Sequence, residues 1–249
     1  MIPFFRKIRK KMADDNRPLK YMRYAIGEII LVVIGILIAL QINTWKEEHQ
    51  AKRVEFVILT ELKKNIEADI LELDSTLTKV NHRIRSSKII LKSLSNNDSY
   101  DDSLNSHFGW AMVYDNMQFH TGAYESLKSS GSQLINDESL RFEISNYYDF
   151  VINDMKTSFR EIRDDFYNYM LDFLRKEFLF FENAGPTAQP TDFEALKQNK
   201  TFILSLGIFV DVQRQTEKYL KITLKASRDL LEKIDARIER IDVGDDVGL

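Results

Sequence analysis

The chain has 249 residues, 29% of them charged and 44% hydrophobic, with no cysteine and a formal net charge of −3. The missing cysteine excludes a disulfide-stapled scaffold and a thiolate zinc site, and the length is ample for one packed core. Acids and bases alternate through most of the chain without a basic stripe, so no nucleic-acid partner is expected.

The N-terminus is different. Arg6, Lys7, Arg9, Lys10, Lys11, Arg17, Lys20 and Arg23 face only Asp14 and Asp15, a local net charge of about +6, which leaves about −9 for the rest of the chain. Phe4, Phe5, Ile8 and Met12 recur among the bases at helical spacing. Arg6, Lys7, Arg9, Lys10 and Lys11 are therefore candidates for lipid headgroup contact, unless the charges only set topology. Residues 24–45, YAIGEIILVVIGILIALQINTW, follow with an unbroken apolar or glycine run from Ile29 to Leu40. About 22 residues at 1.5 Å each span about 33 Å, enough for a hydrocarbon core. Ala39-Leu40-Gln41-Ile42-Asn43 lacks the small-x-small pattern of a cleavage site, which favours an uncleaved anchor. Positive charge before the span predicts that residues 1–23 are cytoplasmic and that everything beyond Trp45 is extracytoplasmic.

Within the span, Gly27, Gly35 and Ala39 share a helical face, the kind that lets membrane helices approach closely. Glu28 lies about one turn inside the cytoplasmic end. It can serve as an interhelical or proton-handling group, or as a solvated boundary residue beside Arg23 or Lys20. Together, Gly27, Glu28, Gly35 and Ala39 are candidates for membrane-helix association.

Beyond the span, Leu59, Leu62, Ile66, Ile70, Leu73, Leu77, Val80 and Ile84 recur at three- and four-residue steps, predicting one helix to about Leu94. SNNDSYDDS, residues 95–103, reads as a loop and Leu104 to Met117 as a short helix. Thr121 is expected to cap a helix that Gly131 ends in a left-handed conformation. Asn136 or Asp137 should start the next, with a face of Leu140, Ile144, Tyr147, Val151, Met155, Phe159, Ile162, Phe166, Tyr169 and Phe173, continuing to Phe181. ENAGPTAQPT, residues 182–191, is a turn. Helices then cover Phe193 to Lys197 and Thr201 to Ile241, with residues 242–249 as a disordered acidic tail. The fold class is all-α: a transmembrane helix followed by an elongated antiparallel bundle over residues 46–241. The aromatic cluster around Phe166 is expected to be core or a dimer face.

Motifs of catalysis are missing. His49, His82, His107 and His120 have no metal-ligand spacing, the glycines form no phosphate loop, and no nucleophile elbow surrounds Ser126, Ser129, Ser130 or Ser132. No cofactor, metal or enzymatic activity is expected. Residues 120–149 form either an interhelical elbow or a recognition tip away from the membrane that uses His120, Tyr124, Lys128 and Arg141.

FFRKIRK, YAIGEIILVVIGILIALQINTW and AYESLKSSGSQLINDESLRFEISNYYD resemble a family of uncharacterised single-pass membrane proteins common in Bacteroidota, especially flavobacteria. The likeness covers most of the chain. It implies a bacterial inner-membrane protein with a cytoplasmic N-terminus and a periplasmic helical domain, and it brings no catalytic residues. The leading expectation is a scaffold or accessory subunit on the lipid bilayer that self-associates as a homo-oligomer or binds another envelope protein. The alternative is a ligand-sensing bundle that signals through a partner. A ligand-sized cavity at the aromatic cluster would favour the second.

Overall fold

The computed structural model describes residues 18–246, so the candidate headgroup residues Arg6, Lys7, Arg9, Lys10 and Lys11 lie outside it. The chain divides into two compact units, Met1–Val54 and Glu55–Leu249. The fold is all-α, as composition and periodicity predict.

Helix α1 runs from Pro18 to Ser95. In the first unit every residue from Ile29 to Leu40 is exposed, Leu31 at 70%. This is the one described helix long and apolar enough to cross a membrane. No neighbouring atom lies within 4 Å of where a Cβ would project from Gly27 or Gly35. That face is uncovered, as is Ala39. Asn43 and Thr44 are helical.

In the second unit, α1 buries the predicted stripe: Leu59, Leu62, Ile66, Leu73 and Val80 are fully inaccessible. It ends in a motif suited to its sequence. Asn97 takes a positive φ of 58°, and the Asp98 amide returns to the Ser93 carbonyl at 3.1 Å, so a short polar side chain does the work usually left to glycine. Next come α2 (Leu104–Ala111) and α3 (Gly122–Ser130). Thr121 makes no side-chain capping bond, contrary to expectation. Gly131 has the predicted positive φ, 108°, and leads into a 3₁₀ turn at Ser132–Leu134.

The Asp137 carboxylate accepts from the Leu140 amide at 3.0 Å and so starts α4 (Glu138–Asn146). The predicted single helix is then widened twice. A π turn at Tyr147–Val151 leads into α5 (Ile152–Asp165), and another at Phe166–Met170 leads into α6 (Leu171–Glu177). Each π turn shifts the phase of the stripe. Tyr147 and Tyr148 are both buried, Ile152 replaces Val151 in the core, and Met170 replaces Tyr169, which is 57% exposed.

The helix stops at Glu177 rather than Phe181. Phe178–Glu182 forms strand β1, paired antiparallel with β2 (Thr187–Pro190). Aromatic side chains suit a pleated, half-buried surface, and here the hairpin has a partner to cover. β2 lies on α2, where Ala188 and Gly109 are buried and the Phe108 ring meets Phe178 edge-on at 5.4 Å. Helix α7 (Phe193–Gln198), capped by Asp192, precedes α8 (Lys200–Asp246).

Helix α8 is antiparallel both to α1 and to the α4–α6 column. Its Arg228 and Arg237 pair with Asp74 and Glu55 of α1. Thr216 and Ser227 bond Ser158 and Tyr147 at 2.8 and 2.9 Å. The α1 segment and the α4–α6 column therefore run in the same direction, because residues 112–137 carry the chain back between them. The core falls into two clusters. One lies along α1, α3, α4, α5 and the C-terminal half of α8. The other joins the end of α1, α2, the end of α5 with the π turn after it, the hairpin, α7 and the first turns of α8.

Candidate functional site

Lys79 and Arg83 are four residues apart on α1 and so share a face. That face opens on a cleft of about 820 Å³, walled by Trp110 of α2 and by Val113, Tyr114 and Asp115 just after it, and closed on one side by the hairpin turn Asn183–Pro186. Arg83 is only 1% exposed. Its terminal guanidinium nitrogen donates to the Asp115 carboxylate, while its buried Nε–H has no partner. Lys79 is exposed at the rim and, among the described residues, has no ion-pair partner. The cleft thus combines a neutralised Arg–Asp pair and one unpaired cation.

Its aromatic wall is braced from behind. Trp110 packs against the His82 ring at 4.4 Å, and the Ser86 hydroxyl lies 3.1 Å from His107 Nδ1. Burial, and secondarily the charge of His82, lowers the His107 pKa and favours its neutral form. The Tyr114 ring packs tilted against Phe166, a member of the predicted aromatic cluster, with centroids 4.9 Å apart, and its hydroxyl donates to the Tyr167 hydroxyl at 3.1 Å. That bond, followed by burial, raises the Tyr114 phenol above its ordinary value.

The predicted cluster itself divides. Phe166 and Phe178 are core, Tyr167, Tyr169 and Phe180 are exposed, and Phe173 and Phe181 lie half-buried. The sequence reading missed the cleft, although a signal existed. Arg83 sits between Val80 and Ile84 on an otherwise apolar stripe, a costly place for a cation unless it is paired.

Each of the four elbow candidates makes a hydrogen bond, and that of His120 reaches α1. The backbone amide of His120 donates to Asp69 Oδ1 at 3.1 Å, and its Nδ1 lies 2.7 Å from the same oxygen. Tyr124 and Lys128 converge on Asp149, at 2.8 and 3.1 Å, and Arg141 donates to the Ile135 carbonyl at 3.0 Å. The Tyr124 bond, more than Lys128, holds the Asp149 carboxyl below its ordinary range. Asn136 bonds Glu55, so the segment lies along α1 toward the start of the second unit and not at its Ser95 end.

Asp69 is fully buried, and burial raises its pKa more than the His120 bonds lower it. The folded state then holds this proton more tightly than the unfolded chain. The resulting stability is complete below the ordinary carboxylate range and is lost as pH rises through the raised folded value. Asp69→Asn keeps an acceptor and removes the charge. It is expected to gain on the order of 1 kcal/mol over the parent in urea melts at about pH 7, and the gain should vanish by about pH 3. A variant weaker than the parent at about pH 7 would mean that the charged bond to His120 outweighs desolvation.

Among the described residues no group of three or more His, Asp or Glu is arranged to hold a metal ion. The arrangement that remains is a cleft with Lys79 and Arg83 on one helix, aromatic surface beside them and a hairpin turn along one side.

Fold and cleft together define an all-α bundle protein with a candidate membrane helix at its N-terminus. Residues 28–169 match the model of a family of unknown function, DUF6090, and the chain belongs to that family. The match takes in the apolar run and every cleft residue on α1 and the α2 segment, and it stops before the hairpin. No curated protein and no solved structure matches the chain.

Proposed function

We propose that this protein is a membrane-anchored sensing module, which binds a small ligand in the Lys79–Arg83 cleft and relays its occupancy through a partner protein. The single observation that carries the reading is the cleft, about 820 Å³ and one wall away from Phe166, with Lys79 unpaired at its rim. Ligand sites have this size, and Trp110 and Tyr114 give this one an aromatic surface among polar side chains. The exposed apolar run after a basic N-terminus supports an uncleaved anchor with the N-terminus in the cytoplasm and the bundle in the periplasm. The resemblance to Bacteroidota envelope proteins supports an inner membrane.

Trp45→Phe leaves Trp110 as the sole tryptophan reporter. Adding a low-molecular-weight cell extract to this protein in detergent is expected to change Trp110 emission saturably. The change should be absent when Ser106→Phe fills the cleft. An unresponsive Trp110, or a response that survives Ser106→Phe, removes the ligand reading.

The scaffold reading has one observation of its own. Tyr169, Leu204 and Ile208 are exposed, at 57%, 65% and 49%, around a second cleft of about 480 Å³. In-membrane crosslinking from Leu204 would catch a second copy or an envelope protein if that face is an interface.

A further inference from the structure

We infer that Lys156, Arg160 and Arg163 form a second binding site, one that takes the phosphate group of a monoester. The site shares no lining residue with the Lys79–Arg83 cleft and does not depend on that reading.

The three cations follow one another on α5 at four- and three-residue steps, so they share one face along about 10 Å of helix. They border a hollow of about 380 Å³ whose other wall is the irregular segment Asn116–Phe119. All three are exposed, so a solute can reach them. Like charges four apart on a helix repel, and Lys156 and Arg160 have no ion-pair partner among the described residues. Asp164 holds Arg163 only through Nε and one terminal nitrogen, at 3.1 and 2.9 Å, which leaves the other terminal nitrogen for a ligand. No Asp or Glu lines the hollow. Asp154 and Glu161, two residues before Lys156 and one after Arg160, leave the helix on other sides. Asp69 of α1 is the acid that feels the Lys156 charge, but it is fully buried and bonded to His120. The opposite wall adds donors. Asn116 and Gln118 are exposed there, and their side-chain amides make no hydrogen bond within the described protein. Two unpaired charges match a dianion, and guanidinium groups match the paired oxygens of a phosphate. A phosphate monoester carries about −1.5 to −2 near pH 7, whereas a carboxylate or a phosphate diester brings a single charge.

The test is calorimetric titration of the full chain in phosphatidylcholine nanodiscs at low salt, where screening is weak. The probes are glycerol 1-phosphate, inorganic phosphate, succinate and acetate. The two phosphates are expected to bind at least tenfold tighter than succinate or acetate. Lys156→Met combined with Arg160→Met should weaken glycerol 1-phosphate binding at least tenfold. Lys10→Met combined with Lys11→Met removes the same charge from the basic N-terminus and should leave that binding unchanged. Lys156 and Arg160 are exposed, so their loss is read on a folded protein, which circular dichroism checks. Adding lipid separates two sources of the same head group. Loss of glycerol 1-phosphate binding with phosphatidic acid, but not with the diester phosphatidylglycerol, assigns the site to a lipid phosphate. Unchanged binding, or an equal fall with both lipids, assigns it to a soluble ester. Succinate or acetate binding as tightly as the phosphates overturns the phosphate class. Phosphate binding that survives the double change on α5, or no binding at all, overturns the site. The Trp110 response to the cell extract tests the cleft separately, so either reading can fall without the other.

Discussion

Gly109→Ala is expected to destabilise the second unit by about 3 kcal/mol, although alanine is the better helix former by about 1 kcal/mol. A Cβ at residue 109 would overlap the backbone of Pro186 and Thr187, which crosses α2 at this point. Backbone cannot swing aside as a flexible side chain can. The hairpin must lift, and Asn183–Thr187 would leave the Lys79–Arg83 cleft with it. Thermal unfolding should therefore begin lower, and hydrogen exchange should rise in residues 178–190 before it rises in α1. The Trp110 response to the cell extract should weaken in parallel. A Tm equal to the parent's would mean that α2 and β2 can separate without cost, and the hairpin would no longer count as a wall of the site.

Arg237→Met should be costlier, about 3–5 kcal/mol. Glu55 is wholly buried, and Arg237 reaches it with two donors at 2.9 Å each, while Asn136 adds its side-chain amide at 2.8 Å. Removing the arginine leaves a buried carboxylate with Asn136 alone to answer it. The methylene stem is retained in methionine, so the loss reports the charge rather than packing. Adding Glu55→Gln to the same protein should recover more than half of the deficit, because the stranded charge disappears. Denaturant melts of the two single variants and the double variant measure this directly. Additive losses would show that the pair is not coupled.

Both predictions concern contacts between residues far apart in the chain, and this is where sequence reading ran out. Helix α1 was legible because its apolar positions recur every three or four residues over many turns, and local spacing alone decides which face is buried. The caps at Asp137 and the positive φ at Gly131 were equally legible, since each depends on a side chain and its nearest amides. The π turns were not. An extra residue in a turn leaves the stripe apolar and changes only its phase, so Tyr148, Ile152 and Met170 replaced their neighbours without any local sign.

The hairpin shows the same division. FLFFE continues a helical pattern acceptably, and it becomes a strand because α2 presents a groove floored by Gly109 for β2 to fill. The cleft required still more. Lys79 and Arg83 belong to one helix, Trp110 to Asp115 to the segment after the loop, and Asn183 to Pro186 to a turn about seventy residues further on. The sequence by itself determined the all-α class, the apolar segment and its basic flank, since each is a property of neighbours along the chain. Only the tertiary structure decided which cation is buried, which carboxylate it meets and where a donor is left over. Those depend on packing between segments whose order in the chain does not encode their distance in space.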